Sequence, residues 1–396
     1  MKILARLYQK VLKLSSKFLY FREVRVIEGK NALLEVPKHI KNHQHVMVIT
    51  DQVLYDLKLL QPLLEALEKE TFHVTLFKDT KPNPTIKNVQ QAYELYKASG
   101  STAMIAFGGG SVIDCAKLVL AQAVNPHKPL RKMKGILKVR KKIPLMVAIP
   151  TTAGTGSEAT VAAVVSDEDQ KDKFAIMDPV LIPHIAVLDP LLTLSLPQTM
   201  TYQTGMDALT HAVEAYISQG ATKKTNEHSL IAVKTIFENL EKVCLDPHDV
   251  TARLAMLKAS YSAGYAFTRA YVGNVHAMAH ALGGLYNLPH GYTNALILPY
   301  VLDYYGEKVS KKLAILSKHA NLAQKSESNQ KAAQLFIQKL RELNKKYGVK
   351  TYVEKLKEED IEFLSQHAYR EANPLYPVPV IFKQSDFRTL YYQILR

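Results

Sequence analysis

Apolar residues recur along this chain in two rhythms. Between His45 and Pro150 short β-rich runs alternate with helical stretches. His45-Val-Met-Val-Ile-Thr50 reads as a buried strand, Val53 to Glu70 as a helix bent at Pro62, and Phe72 to Phe77 as a second strand. The turn Lys81-Pro-Asn-Pro84 leads into a helix ending near Ala98. Ala103–Phe107 and Leu145–Pro150 follow as strands, then Val161–Ser166, Phe174–Met177 and Ile185–Leu188. Strands alternating with helices predict a parallel sheet with crossover helices. From Pro197 onward the helical period is nearly continuous, punctuated by Gly220, Pro247, Gly273 and Gly291. The expected organisation is an α/β domain over residues 1–196 and an all-α domain over residues 197–396.

Residues 1–20 carry a third pattern, that of a basic amphipathic helix. Leu4, Leu7, Val11, Leu14 and Phe18 are spaced by three and four, with Lys2, Arg6, Lys10, Lys13 and Lys17 between them. The favoured reading is a helix packed on its own protein or on another subunit. A membrane-surface helix and an organellar transit segment are the alternatives.

At 396 residues, with 47% hydrophobic content, the chain can bury two cores. No apolar run reaches the ~18 residues of a membrane span, and no secretory signal is recognisable. The two cysteines, Cys115 and Cys244, are far apart, which argues against a disulfide framework or zinc–thiolate site and for a reducing cytoplasm. Much of the +15 net charge sits between Lys128 and Lys142, where eight cations occur without an acid. That segment reads as a solvated loop, with attraction of anionic cofactors as the alternative.

Gly108-Gly-Gly-Ser-Val-Ile-Asp114 follows one expected strand and opens a helix. Glycines there admit a ligand close to the backbone, and N–H groups at a helix start face an anion. Ser111 is the expected N-cap and Asp114 its capping-box partner. Asp51, directly after the strand 45–50, suits a ribose hydroxyl or an N-cap, and would repel a 2′-phosphate. A second loop, Pro150-Thr-Thr-Ala-Gly-Thr-Gly-Ser-Glu158, is dense in hydroxyls and glycines.

In the helical half, Asp207 and His211 lie one turn apart on a helix face, as do His276 and His280, with His290 just after Pro289. Three of fourteen histidines fall in the fifteen residues 276–290, where composition predicts about half of one. Imidazoles among Ala, Leu and Met need partners. A divalent ion held by two or three histidines and a carboxylate would satisfy them together, and a sulfur-free set suits Fe²⁺ or Zn²⁺.

These segments, in this order, resemble the iron-containing (group III) alcohol dehydrogenases from about residue 23 onward. The resemblance rests on Gly108–Ser111, Pro150–Thr155, Gly205-Met-Asp-Ala-Leu-Thr-His211 and His276-Ala-Met-Ala-His280 with Pro289-His290-Gly291. It implies a dehydroquinate synthase-like, Rossmann-type N-terminal domain with a helical partner. It also implies hydride transfer between a small primary alcohol or diol and NAD(P), the metal polarising the substrate oxygen. It assigns Asp207, His211, His276 and His290 to the metal, Fe²⁺ or alternatively Zn²⁺, and His280 to the place beside nicotinamide and substrate. Asp51, Asn83, Gly109, Gly110, Ser111, Asp114, Thr151, Thr152, Thr155 and Lys173 match cofactor-contacting positions, with NAD expected over NADP. A homo-oligomer with small-molecule substrates, and with neither nucleic acid nor a membrane span, is the expected state.

The chain departs from the family's usual Ser-Asn pair at Phe267-Thr-Arg269, so Arg269 is a candidate for reading an anionic substrate group, against a plain surface arginine. Rival readings are a glycerol dehydrogenase-like or dehydroquinate synthase-like enzyme on the same fold, and a metal-dependent hydrolase if the glycine loop only turns the chain. The remote one is a basic nucleic-acid- or membrane-surface-binding protein.

Overall fold

The computed structural model describes residues 2–16, 19–170 and 172–396. In chain order the elements begin with α1 (Lys2–Ser16), β1 (Arg25–Glu28), α2 (Val36–His39), β2 (His45–Ile49), α3 (Gln52–Asp56), α4 (Gln61–Lys69), β3 (His73–Phe77), α5 (Ile86–Ser99), β4 (Ala103–Gly108) and α6 (Gly110–Ala123). Then come α7 (Leu130–Met133), β5 (Gly135–Ile136), β6 (Leu145–Pro150), β7 (Ala162–Asp167), β8 (Asp172–Met177) and β9 (Ile185–Leu188). The rest is helical: α8 (Gln198–Ile217), α9 (Lys223–Leu245), α10 (Val250–Ala270), α11 (Asn274–Tyr286), α12 (His290–Tyr305), α13 (Glu307–His319), α14 (Asn329–Lys346), α15 (Ile361–Ala372) and α16 (Gln384–Gln393).

Six strands form one parallel sheet in the order β1-β9-β6-β4-β2-β3. Alternate strand residues feed two cores, as the two-residue period requires. Met47, Ile49, Met104, Ala106, Met146 and Ala148 face one apolar cluster, and Val46, Val48, Ile105, Phe107, Val147 and Ile149 face the other. From β2 the chain moves outward to β3, then crosses back to β4 on the other side of β2. That reversal makes the carboxyl ends of β2 and β4 the switch point of the sheet, the position at which open parallel sheets bind ligands. A second sheet, β5-β8-β7, pairs β7 and β8 antiparallel.

Two compact units emerge. One comprises Leu19–Leu196 with Pro247–Tyr261; the other contains α1, Pro197–Asp246 and Ser262–Arg396. Relative to halves divided at residue 196, α1 and residues 247–261 exchange units.

Several local expectations change. The helix read from Val53 to Glu70 is two, α3 and α4, separated by a turn with Lys58 at φ 56°. Pro62 lies in the first turn of α4, where its missing N–H costs nothing, so it starts a helix and bends none. The segment 128–142 is more anchored than a solvated loop. Leu130, Met133 and Val139 are buried. Arg131 pairs with Asp167 and Asp169, and the Val139 and Arg140 N–H groups donate to Asp178. Acids from β7 and the approach to β9 supply what the segment lacks.

Candidate active site

Three helices of the second unit assemble the histidine cluster. α8 carries Asp207, His211 and then Glu214 at successive turns; α11 carries His276 and His280; α12 begins at His290. Gly291 lets α12 approach α8 closely, because a Cβ there would collide with the Gln203 carbonyl. One ligand-type atom from each of Asp207, His211, His276 and His290 lies within 4.8 Å of all the others. The first three side chains are buried and His290 is half-exposed. His211 stacks on His276 at 4.5 Å between centroids, and on Phe267 at 4.1 Å on its other side.

The ring of His276 is fixed from behind. Its Nδ1 is 2.6 Å from the Glu214 carboxylate, which also accepts from the Gly273 and Val275 N–H groups at 2.8 Å. Burial, with His211, His290 and His280 adding to it, holds His276 well below its usual pKa, so the imidazole is neutral. Burial also pushes Glu214 up to about 7, against the pull of those donors. The Nε2 side of His276 faces Asn294, whose amide nitrogen lies 3.2 Å away, 3.1 Å from His290 Nε2 and 2.8 Å from Asp207 Oδ1. Acceptor atoms from three elements therefore converge on one point.

That arrangement fits a divalent ion. Neutral imidazoles and a carboxylate are the donor forms a metal takes, and a carboxylate behind a ligating histidine is the usual second contact. Among the described residues the buried Asn294 Oδ1 has no hydrogen-bond partner, an unusual state for a protein interior. His280 stands apart from the four. Its Nδ1 meets Glu371 at 2.6 Å, the same carboxylate oxygen accepts from the Tyr376 hydroxyl at 2.7 Å, and its ring stacks on His290 at 5.0 Å.

The nucleotide-candidate residues belong to the other unit. Asp51 follows β2, Gly109–Ser111 follow β4, and Thr151, Thr152 and Thr155 follow β6. These three strands are adjacent, so the loops share the carboxyl edge of the sheet. Gly110 is needed there, since a Cβ would come within 2.7 Å of Thr155 Cγ2. Asp51 caps α3, accepting from the Leu54 N–H at 2.9 Å. Asn83 joins the cluster: its N–H donates to Ser111 Oγ at 3.2 Å, and its side-chain oxygen accepts from Lys173 at 2.7 Å.

The capping roles read for Ser111 and Asp114 are corrected. α6 is capped by Gly109 with no side-chain bond. A glycine in extended backbone ends β4 and leaves Ser111 inside the first turn. Asp114 turns to the second loop, accepting from the Ser157 hydroxyl at 2.7 Å and the Val164 N–H at 3.0 Å. Beside it lies Lys117, which sequence reading passed over although a lysine in an otherwise apolar helix face was its signal. Its buried ammonium donates to the Ser157, Thr160 and Ala162 carbonyls at 2.7, 3.0 and 2.9 Å, and burial draws its pKa down to about 8. Lys117 ties down the loop bearing Thr151–Thr155. Arg269 folds along its own helix, over the Tyr265 ring at 3.6 Å and onto the Tyr265 carbonyl at 3.1 Å.

Comparisons with known proteins bear on the family of the chain. The profile described as "Iron-containing alcohol dehydrogenase" matches residues 24–190. That described as "Fe-containing alcohol dehydrogenase family, C-terminal" matches residues 201–395. The NAD-dependent methanol dehydrogenase of Bacillus methanolicus is 34% identical over 347 residues, 87% of this chain and 91% of the relative. The 1,3-propanediol dehydrogenase of Citrobacter freundii is 34% identical over 351 residues, 87% and 90% of the two chains. Among solved structures, an alcohol dehydrogenase from Oenococcus oeni superposes with a TM-score of 0.91 at 30% identity, covering 95% of this chain and all of its own.

Proposed function

Because this chain belongs to the iron-containing alcohol dehydrogenase family, we propose that it moves a hydride between NAD and a small primary alcohol or diol and its aldehyde. Oxidoreduction of alcohols is the family's activity; the residue roles and cofactor choices here are our reading. The observation that carries it is the convergence of Asp207, His211, His276 and His290 within 4.8 Å. These four would hold Fe²⁺, with Zn²⁺ the alternative for a three-nitrogen, one-oxygen set. A divalent ion there supplies Lewis acidity toward the substrate oxygen, and the nicotinamide supplies or takes the hydride.

The chain's own groups do the rest. Glu214 keeps the His276 ring turned with Nε2 toward the cluster. Glu371 holds His280 through Nδ1, so proton exchange with substrate or its orientation runs through Nε2. In the other unit, the N–H groups at the start of α6 suit a pyrophosphate. The Asp51 carboxylate suits a ribose hydroxyl and disfavours a 2′-phosphate, which supports NAD over NADP. Asn83, Ser111, Thr151, Thr152, Thr155 and Lys173 surround that place, and Asp114 supports it through Ser157. Relatives named for methanol and 1,3-propanediol make small alcohols and diols the proposed substrates.

We place the enzyme in the cytoplasm as a homo-oligomer, its two cysteines being buried and 129 residues apart in the sequence. Among the described residues, no helix is long and apolar enough to cross a membrane. The test is anaerobic metal analysis of the purified protein together with NADH and NADPH oxidation over small aldehydes. Near-stoichiometric iron and NADH-preferring turnover are expected. Protein free of metal that still turns over, or an enzyme silent with every aldehyde, would overturn the proposal.

A further inference from the structure

The first helix is attached by the side that a helix ordinarily turns to water. Arg6 donates to the Val378 and Pro379 carbonyls at 2.7 and 2.8 Å. Gln9, itself buried, donates to the Tyr376 and Pro374 carbonyls at 2.7 and 3.1 Å. Lys13 reaches the Gln219 and Ala221 carbonyls at 2.8 and 3.2 Å. These bonds fix the rotation of α1 about its axis. Leu4, Leu7, Tyr8 and Val11, at i, i+3, i+4 and i+7, then form one outward stripe, 69%, 58%, 42% and 58% exposed. Leu14 lies on a part of the helix whose side chains are not described, and Phe18 outside the described residues.

The stripe continues into a cleft of about 590 Å³, walled by Leu7, Pro379, Val380 and Ile381 and rimmed by Arg6, Lys10 and Lys308. Apolar walls beneath a cationic rim match an amphiphile whose head is anionic. A second copy of the chain is the poorer occupant, since symmetric contact would set Lys10 and Lys308 near their own counterparts on a molecule of net charge +15. Contiguous exposed apolar surface beside cations is the pattern of interfacial helices.

We propose that α1 is a membrane-surface anchor. Its leucine–tyrosine–valine stripe enters the interface of an anionic bilayer, and Lys10 and Lys308 meet lipid phosphates there. The attachment is peripheral and leaves the catalytic reading unchanged.

The test is flotation of the full-length purified protein with vesicles of phosphatidylcholine alone, or with about one-third phosphatidylglycerol. The protein is expected to float with the anionic vesicles at least about tenfold more strongly than with the neutral ones, and high salt should release most of it. Leu7→Glu/Val11→Glu, and the milder Leu4→Ser/Leu7→Ser, should each cut binding about tenfold or more while the thermal transition and solution activity stay unchanged. Lys10→Glu/Lys308→Glu should abolish the preference for anionic lipid. The proposal fails if the wild type ignores both vesicle types, or if the stripe variants bind as the wild type does. It also fails if light scattering shows the stripe variants changing only the oligomeric mass.

Discussion

The two units build their candidate sites from different materials. At the carboxyl edge of the sheet the candidate nucleotide site is mostly backbone: glycines 109 and 110, the N–H groups that open α6, and short hydroxyl side chains from the neighbouring loop. In the helical unit the candidate metal site is wholly side chain, four donors from three helices, backed by one buried carboxylate, Glu214, and the Asn294 amide. A backbone site is shaped by topology and tolerates change at any one side chain but not the intrusion of a Cβ. A side-chain site fails with a single ligand and leaves the fold standing. The two should therefore be separable by mutation.

The largest separation is expected for His276→Ala. Removing one of four donors should strip the tightly held metal and lower kcat/KM about a thousandfold or more, while NADH binding by the sheet unit persists. Metal content and NADH fluorescence titration on the same sample check it, and simultaneous loss of both would contradict that independence. Next comes Glu214→Gln. It keeps the volume but weakens the hold on His276, and metal affinity should fall about 10- to 100-fold with the folded state intact.

Gly110→Ala probes the other side. The new methyl meets Thr155 at 2.7 Å, and a cost of about 1–2 kcal/mol should weaken NADH binding roughly tenfold without touching metal content. Asp51→Ser should raise the relative use of NADPH by about tenfold at small cost in stability, because a serine still caps α3.

The last effect, no larger than that of Gly110→Ala, is one of pH, and it belongs to the sheet unit. His184 Nδ1 accepts from the Met146 N–H at 3.1 Å. Burial, with Arg22 and His43 nearby, lowers its pKa from 6.5 to about 4. Between those values the unfolded chain takes a proton that the folded chain refuses, so stability falls as pH drops from 6.5 toward 4. The loss amounts to about 1–2 kcal/mol after allowing for partial solvent access. Denaturant titrations at pH 7 and pH 5 should show it, and His184→Gln should flatten the difference. An equal slope in the variant removes His184 as the cause.

The same contrast explains what could be read from the sequence. β2, β4 and β6 were legible because buried parallel strands are continuous apolar runs, and the glycine loop because its residues are adjacent in sequence. β1 and β5, four and two residues long, carry too little pattern to stand out. The split of α3 from α4 was hidden because Pro62 has one meaning inside a helix and another at its start. The histidines stood out as imidazoles in an apolar context. Their supports did not: Glu371 lies 91 residues from His280, and only the folded chain brings it there. Glu214 and Asn294 were within reach, one turn beyond His211 and His290, had the helix faces been followed further. The N-terminal stripe was visible as a pattern, but which side it turns outward depends on carbonyls more than two hundred residues away.

The central claim is that four side chains of the helical unit share one divalent ion. Anaerobic titration of metal-free protein with Co²⁺, followed by its visible absorption, tests it directly. One equivalent should bind with a nitrogen-rich, low-coordinate spectrum in the wild type, and that spectrum should vanish in both Asp207→Ala and His276→Ala. No binding by the wild type, or the same spectrum in all three proteins, would contradict the account.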